Sequence, residues 1–156
     1  MRVARRFLSP IYKIYEKRLE RQIMKGTVPK HLAVIMDGNR RYAEDIGILP
    51  HEGHIKGKST LENLSDWCRK IGIKHLTVYA FSMENFNRDQ KELSPLMDLF
   101  EESFRNAGDD PRVHDNKVRV RAIGHREMLP DKVIKAIEYA EDKTKDYSDF
   151  NYNLAV

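Results

Sequence analysis

The chain has 156 residues, 40% of them hydrophobic, which fits one folded domain with its own core and argues against a disordered chain. Its single cysteine excludes an internal disulfide and fits a reducing cytoplasm, and no apolar run reaches the roughly 18–20 residues of a bilayer-spanning helix. The net charge of +4 is carried by residues 1–30, with nine Lys/Arg and two Glu, while the rest holds 19 basic and 22 acidic side chains; this argues against a general nucleic-acid-binding surface.

In chain order, Ser9-Pro10 reads as a helix start, and the helix runs to about Met24, where Gly26 and Pro29 stop it. Phe7, Leu8, Ile11, Ile14, Tyr15, Leu19 and Ile23 lie roughly on one side; Arg18, Arg21 and Lys25 lie off it. Such a helix packs on its own domain or a partner, or lies on an anionic membrane surface. Residues 1–27 are thus a basic amphipathic arm and residues 28–156 the domain.

The domain alternates. His31–Met36 reads as a strand, Asn39–Ile46 as a short helix, and Gly47–Gly53 as a loop containing Pro50. His54–Ile71 reads as a helix, with Ile55, Leu61, Leu64, Cys68 and Ile71 at helical spacing, which puts Cys68 in the core. His75–Phe81 is a strand, Ser82–Leu93 a polar loop, and Ser94-Pro95 starts a helix with Leu96, Leu99, Phe100 and Phe104 on one face. Lys117–Ile123 is a strand, Pro130–Lys143 a helix, and Asn151–Val156 begins a strand. This pattern predicts an α/β fold with a parallel sheet, flanking helices and ligands at the carboxyl ends of the strands.

Two polar clusters follow strands, and in a parallel sheet they share one edge. The first is Asp37-Gly38-Asn39-Arg40-Arg41-Tyr42. Gly38 lets the backbone approach a ligand, the next helix offers unpaired N–H groups, and the arginines match phosphate oxygens. A carboxylate beside phosphate needs a cation between them, so Asp37 points to Mg²⁺. The plainer alternative is a capped helix with solvated arginines. Gly53-His54 opens the next helix, whose dipole lowers the imidazole pKa; a capping or surface histidine is the plainer alternative. The second strand-end cluster, Ser82-Met83-Glu84-Asn85-Phe86-Asn87-Arg88, has no hydrophobic period and reads as a loop. Phe86 either serves a ligand or tucks into the core.

MDGNRRYA, then LPHEGH, then YAFSMENFNR resemble, in order and spacing, the cis-prenyltransferases, the undecaprenyl diphosphate synthase family, with an archaeal flavour around Arg41-Tyr42 and LPHEGH. The resemblance covers about residues 28–156 and implies condensation of isopentenyl diphosphate with an allylic diphosphate, geranylgeranyl or farnesyl diphosphate, in cytoplasmic synthesis of a glycosyl carrier lipid. It implies Asp37 as the acid linked to Mg²⁺ and Gly38, Asn39, Arg40 and Arg41 as the allylic diphosphate cradle, assisted by His54. Tyr42 falls on an aromatic motif position, and Asn85 on the residue that helps remove the proton. Ser82, Met83, Glu84, Phe86 and Arg88 fall on the loop that closes over isopentenyl diphosphate, and Glu92 continues it. Ala80 and the helices 54–71 and 94–107 would line a tunnel for the growing chain.

The resemblance further implies a homodimer and, with the basic arm, peripheral membrane contact through residues 1–25. Two departures stand out. Pro50 replaces an arginine of many bacterial relatives. The sequence also ends at NYNLAV, where the family continues into a segment carrying further arginines, a serine and a glutamate. The chain therefore resembles the first two-thirds of such an enzyme, ending at a sheet strand with an unfinished edge. The alternative is a non-catalytic partner subunit or an inactive fragment.

Overall fold

The computed structural model describes the backbone of residues 2–156 and the side chains of residues 12–156. Helix α1 (Arg2–Met24) leads into strand β1 (His31–Ile35), helix α2 (Asn39–Ile46), helix α3 (Pro50–Ile71) and strand β2 (His75–Tyr79). A 3-10 turn (Met83–Asn87) precedes helix α4 (Gln90–Asp109) and the short helix α5 (Pro111–Asp115). Strand β3 (Val118–Ile123), a second 3-10 turn (Arg126–Met128), helix α6 (Asp131–Thr144) and strand β4 (Phe150–Ala155) complete the chain.

The strands form one four-stranded parallel sheet in the order β1-β2-β4-β3. All four carboxyl ends therefore lie on one edge, as the alternating pattern predicts. One face of the sheet carries Leu76, Val78, Val118, Val120, Ala122, Phe150 and Leu154, all buried. Against it pack Leu93, Leu96, Met97, Phe100 and Phe104 of α4 and Val133, Ala136, Ile137 and Ala140 of α6, in one continuous core. Cys68 is in that core, as its helical spacing predicts, and burial raises its thiol pKa. On the other face, His31, Ala33 and Ile35 of β1 are exposed.

The unfinished edge expected at Asn151–Val156 is not there. β4 lies inside the sheet, paired with β2 on one side and β3 on the other. The edge strands are β1 and β3, and α6 finishes the β3 edge with side chains. Thr144 Oγ1 accepts from the Val120 N–H at 3.1 Å, and Glu141 Oε1 accepts from the Ala122 N–H at 3.0 Å. These acceptors satisfy strand donors that no strand of the described residues reaches on that side.

Several helix boundaries also move. α1 runs through Ser9-Pro10 instead of starting there, so the loss of one backbone donor at Pro10 does not break it. The side chains of Phe7, Leu8 and Ile11 lie outside the described residues. Tyr12, Tyr15, Leu19 and Ile23 stack along one face of α1 and are exposed, while Glu20 ties the helix to Lys70 of α3 at 2.7 Å. α3 begins a turn earlier than predicted, because Pro50 takes the first helical position and Glu52 Oε2 accepts from the Leu49 N–H at 2.9 Å. α4 likewise begins at Gln90, capped by Asp89, whose carboxylate accepts from the Lys91 N–H at 2.8 Å; Pro95 lies inside it. The polar loop predicted over Ser82–Leu93 is thus mostly helical.

Thr144 is fully buried, and its hydroxyl also donates to the Ala140 carbonyl at 2.8 Å. Thr144→Val keeps the shape and orphans the Val120 N–H, so denaturant unfolding should show a loss of about 1–3 kcal/mol. A change within experimental error would contradict this role for α6.

Candidate active site

β1 ends at Ile35, and the chain turns through Met36, Asp37 and Gly38 into α2. Gly38 caps α2 with φ 89°, in the left-handed region that only glycine enters freely. This turn brings Asp37 beside the start of α2. Asp37 Oδ1 accepts from the Gly38 N–H at 2.6 Å and Oδ2 from Arg41 Nη2 at 2.9 Å. Both side chains of the Asp37–Arg41 pair are mostly exposed, 78% and 73%, so the pair is weak and either partner can turn to a ligand.

α3 crosses directly over the start of α2. A Cβ on Gly53 would lie 2.3 Å from the Asn39 carbonyl oxygen, and one on Gly57 would lie 2.5 Å from Asn39 Oδ1. Only a helix without side chains at both positions can come this close. This gives the glycine of Gly53-His54 a physical reason: it seats α3 on Asn39 and so delivers His54 to the carboxyl edge of the sheet. His54 is in the second turn of α3, so the dipole explanation for its pKa gives way to another. Burial pushes the imidazole below its ordinary value; Glu92 pulls it back up, and Arg88 and Arg40 push it further down. Nε2 is buried and has no hydrogen-bond partner among the described residues, with Glu92 Oε1 at 3.6 Å.

After β2, Phe81 enters the core and Ser82 starts the 3-10 turn. Asn85 Oδ1 accepts from the Ser82 N–H at 3.2 Å, so the turn itself orients the Asn85 amide. Phe86 packs edge-on against Phe81 with ring centres 4.8 Å apart, the core role allowed for it by the sequence. Arg88 Nη1 donates to Glu92 Oε1 at 2.9 Å, and Arg40 Nε lies 3.5 Å from Glu92 Oε2. Glu92 is largely buried and therefore joins α2, α3 and the turn before α4.

Two cavities meet at this edge. A polar one of about 290 Å³ is lined by Asp37, Gly38, Asn39, Arg40, Arg41, Glu44, His54 and Arg88, with Met36. An apolar one of about 600 Å³ lies between α3 and α4 over the buried sheet face, lined by Leu61, Leu96, Leu99, Phe100, Phe104 and Tyr152 among others. Met36, Asn39 and His54 are walls of both. From His54 to Arg69, both on its lining, α3 runs about 22 Å. Ala80 also lines the apolar cavity, as the tunnel reading implies, and burial raises the Tyr152 phenol pKa.

The structure thus brings Asp37, Gly38, Asn39, Arg40, Arg41, His54 and Arg88 around one cavity. Tyr42, Ser82, Met83, Glu84, Asn85 and Phe86 line neither; Tyr42 and Met83 are about half exposed. Sequence reasoning did not find Glu44 as a wall of the polar cavity. It gave Glu92 only as a continuation of the loop, although the Arg88–Glu92 spacing of four residues was a usable signal.

Residues 35–156 match the family described as "Putative undecaprenyl diphosphate synthase". The chain belongs to that family. It is 48% identical over 149 residues to a tritrans,polycis-undecaprenyl-diphosphate synthase (geranylgeranyl-diphosphate specific) of Methanopyrus kandleri, covering 96% of this chain and 55% of that protein. A protein of the same name from Thermococcus kodakarensis is 47% identical over 148 residues, covering 95% of this chain and 56% of its own length. Among solved structures, lavandulyl diphosphate synthase from Lavandula x intermedia in complex with dimethylallyl diphosphate superposes with a TM-score of 0.76. That match is 32% identical and covers 81% of this chain and 54% of that one. The chain spans about half the length of these curated relatives.

Because the folded His54 pKa lies below its unfolded value of 6.5, the unfolded state takes up the proton more readily. The stability contributed by neutral His54 is present above pH 6.5 and is lost as pH falls from there toward the folded value. Denaturant unfolding of the wild-type chain and His54→Asn across this window should show a shallower acid loss in the variant. Parallel curves would contradict the burial of a neutral imidazole.

Proposed function

We propose that the chain binds an allylic diphosphate, with the diphosphate in the polar cavity and the prenyl tail in the apolar one, for cis-prenyl chain elongation with isopentenyl diphosphate. The observation that carries this reading is the shared wall of Met36, Asn39 and His54, which makes a cationic cradle continuous with an apolar chamber. A ligand with one anionic end and one long hydrocarbon end fits that shape. The named specificity of the archaeal relatives favours geranylgeranyl diphosphate over farnesyl diphosphate as primer.

Arg40, Arg41, His54 and the first N–H groups of α2 hold the diphosphate and stabilise the charge that develops as it leaves. Asp37 is the residue to hold Mg²⁺. The fit is chemical: Mg²⁺ takes one or two carboxylates together with substrate phosphates, and Asp37 is an exposed carboxylate on the cradle itself. When bound, the ion neutralises diphosphate charge. The turn from Ser82 to Arg88, with Met83 and Glu84, covers isopentenyl diphosphate and keeps water from the reacting carbon. As the new carbon–carbon bond forms, the bond to the primer's diphosphate breaks and isopentenyl diphosphate loses a proton. An amide is a poor base, so Asn85 orients that proton toward the released diphosphate.

The product is a polyprenyl diphosphate for a glycosyl carrier lipid, and the assembly a homodimer. The exposed apolar row on α1 supports peripheral contact with a membrane surface; no helix of the described residues is long and apolar enough to cross one.

With labelled isopentenyl diphosphate, geranylgeranyl diphosphate and Mg²⁺, the chain should transfer label into extractable lipid. Asp37→Ala should reduce that transfer by about 100-fold or more, and Arg88→Ala by at least about tenfold. No transfer by the wild-type chain, or transfer indifferent to Asp37→Ala, would contradict the proposal.

A further inference from the structure

Glu92 stands apart from the other polar groups at this edge. Its side chain is 12% exposed and reaches two arginines and a histidine from three different segments: Arg88 at 2.9 Å, Arg40 at 3.5 Å and His54 at 3.6 Å. Arg40, His54 and Arg88 line the polar cavity, and Glu92 does not. These three side chains therefore stand between the carboxylate and the space that an anion would fill. Glu92 also lies in the first turn of α4, a position where a carboxylate complements the helix dipole. Asp89 caps that helix, which leaves the Glu92 side chain free to face Arg40, His54 and Arg88.

We propose that Glu92 is a positioning residue, which holds Arg40, His54 and Arg88 from behind and aims them into the polar cavity for a diphosphate. This deepens the proposed function and rests on it. An isolated arginine pays side-chain entropy on meeting phosphate; one already held by a buried carboxylate has paid part of it in folding. The same carboxylate carries negative charge near the bound phosphate, so Coulomb repulsion alone predicts tighter binding once that charge is removed. Positioning predicts the opposite sign, and the two effects separate cleanly.

The probe is inorganic pyrophosphate with Mg²⁺, titrated calorimetrically into the full chain. Glu92→Gln removes the charge and keeps the volume. It should weaken pyrophosphate binding by about tenfold, on the scale typical of partners that orient ligand-holding side chains, with partial recovery in Glu92→Asp. The His54 titration followed by NMR supplies a readout that a purely structural role would not move. The groups facing that imidazole are Glu92, Arg88 and Arg40, so with the carboxylate gone the midpoint should fall further. Unchanged or tighter pyrophosphate binding by Glu92→Gln, with its melting temperature retained, would overturn the proposal alone. An unmoved His54 midpoint in that variant would do the same. Failure of the wild-type chain to bind pyrophosphate would overturn the proposed function and this inference with it.

Discussion

The contact on which the site depends is the seat of α3 on Asn39. Two glycines one helical turn apart, Gly53 and Gly57, let the helix pass against the Asn39 carbonyl and amide where any side chain would collide. That contact sets the height of α3 above the sheet edge. It places His54 at the polar cavity and, because α3 then runs on over the sheet, places Leu61 on the wall of the apolar one. Asn39 belongs to both cavities because it is the pivot between them. A larger residue at Gly53 would press on the α2 backbone itself, which cannot yield as a flexible side chain can.

The electrostatics follow from this geometry in two tiers. At the open rim, Asp37 and Arg41 pair with each other in solvent, a weak arrangement that costs little to exchange for a ligand. Deeper in, His54 and Arg88 gather on Glu92, with Arg40 reaching it from a more exposed position; burial strengthens the Arg88–Glu92 interaction and holds the imidazole pKa below its ordinary value. His54 Nε2, without a hydrogen-bond partner among the described residues, marks the network as only partly satisfied. A ligand phosphate would meet exchangeable groups outside and fixed ones inside.

Much of this was legible in the residues, for reasons that can be named. The period switches between strand and helix gave the parallel sheet, and with it the shared edge for both strand-end clusters. The bounds of α2 were readable because Gly38 and Gly47 punctuate it at both ends. Order within the sheet was not readable, because nothing local says that β4 inserts between β2 and β3; hence the misplaced edge at Asn151–Val156. Pro50 and Ser94-Pro95 misled in opposite ways. In sequence Pro50 reads as loop, although proline suits a first helical turn. Ser94-Pro95 reads as a helix start, although Asp89 already caps α4. Glu92 was hidden because its importance lies in contacts across three segments, which no single-segment pattern encodes.

The central claim is that the cradle and the apolar chamber are one binding site for a prenyl diphosphate. The most direct measurement compares the affinities of geranylgeranyl and dimethylallyl S-thiolodiphosphates, unreactive analogues that share a head and differ by three isoprene units. Burial of each methylene is worth about 0.8 kcal/mol, so tail entry should tighten binding at least about tenfold. Equal affinities would mean that the tail stays outside the chamber, and the account of a continuous site would fail.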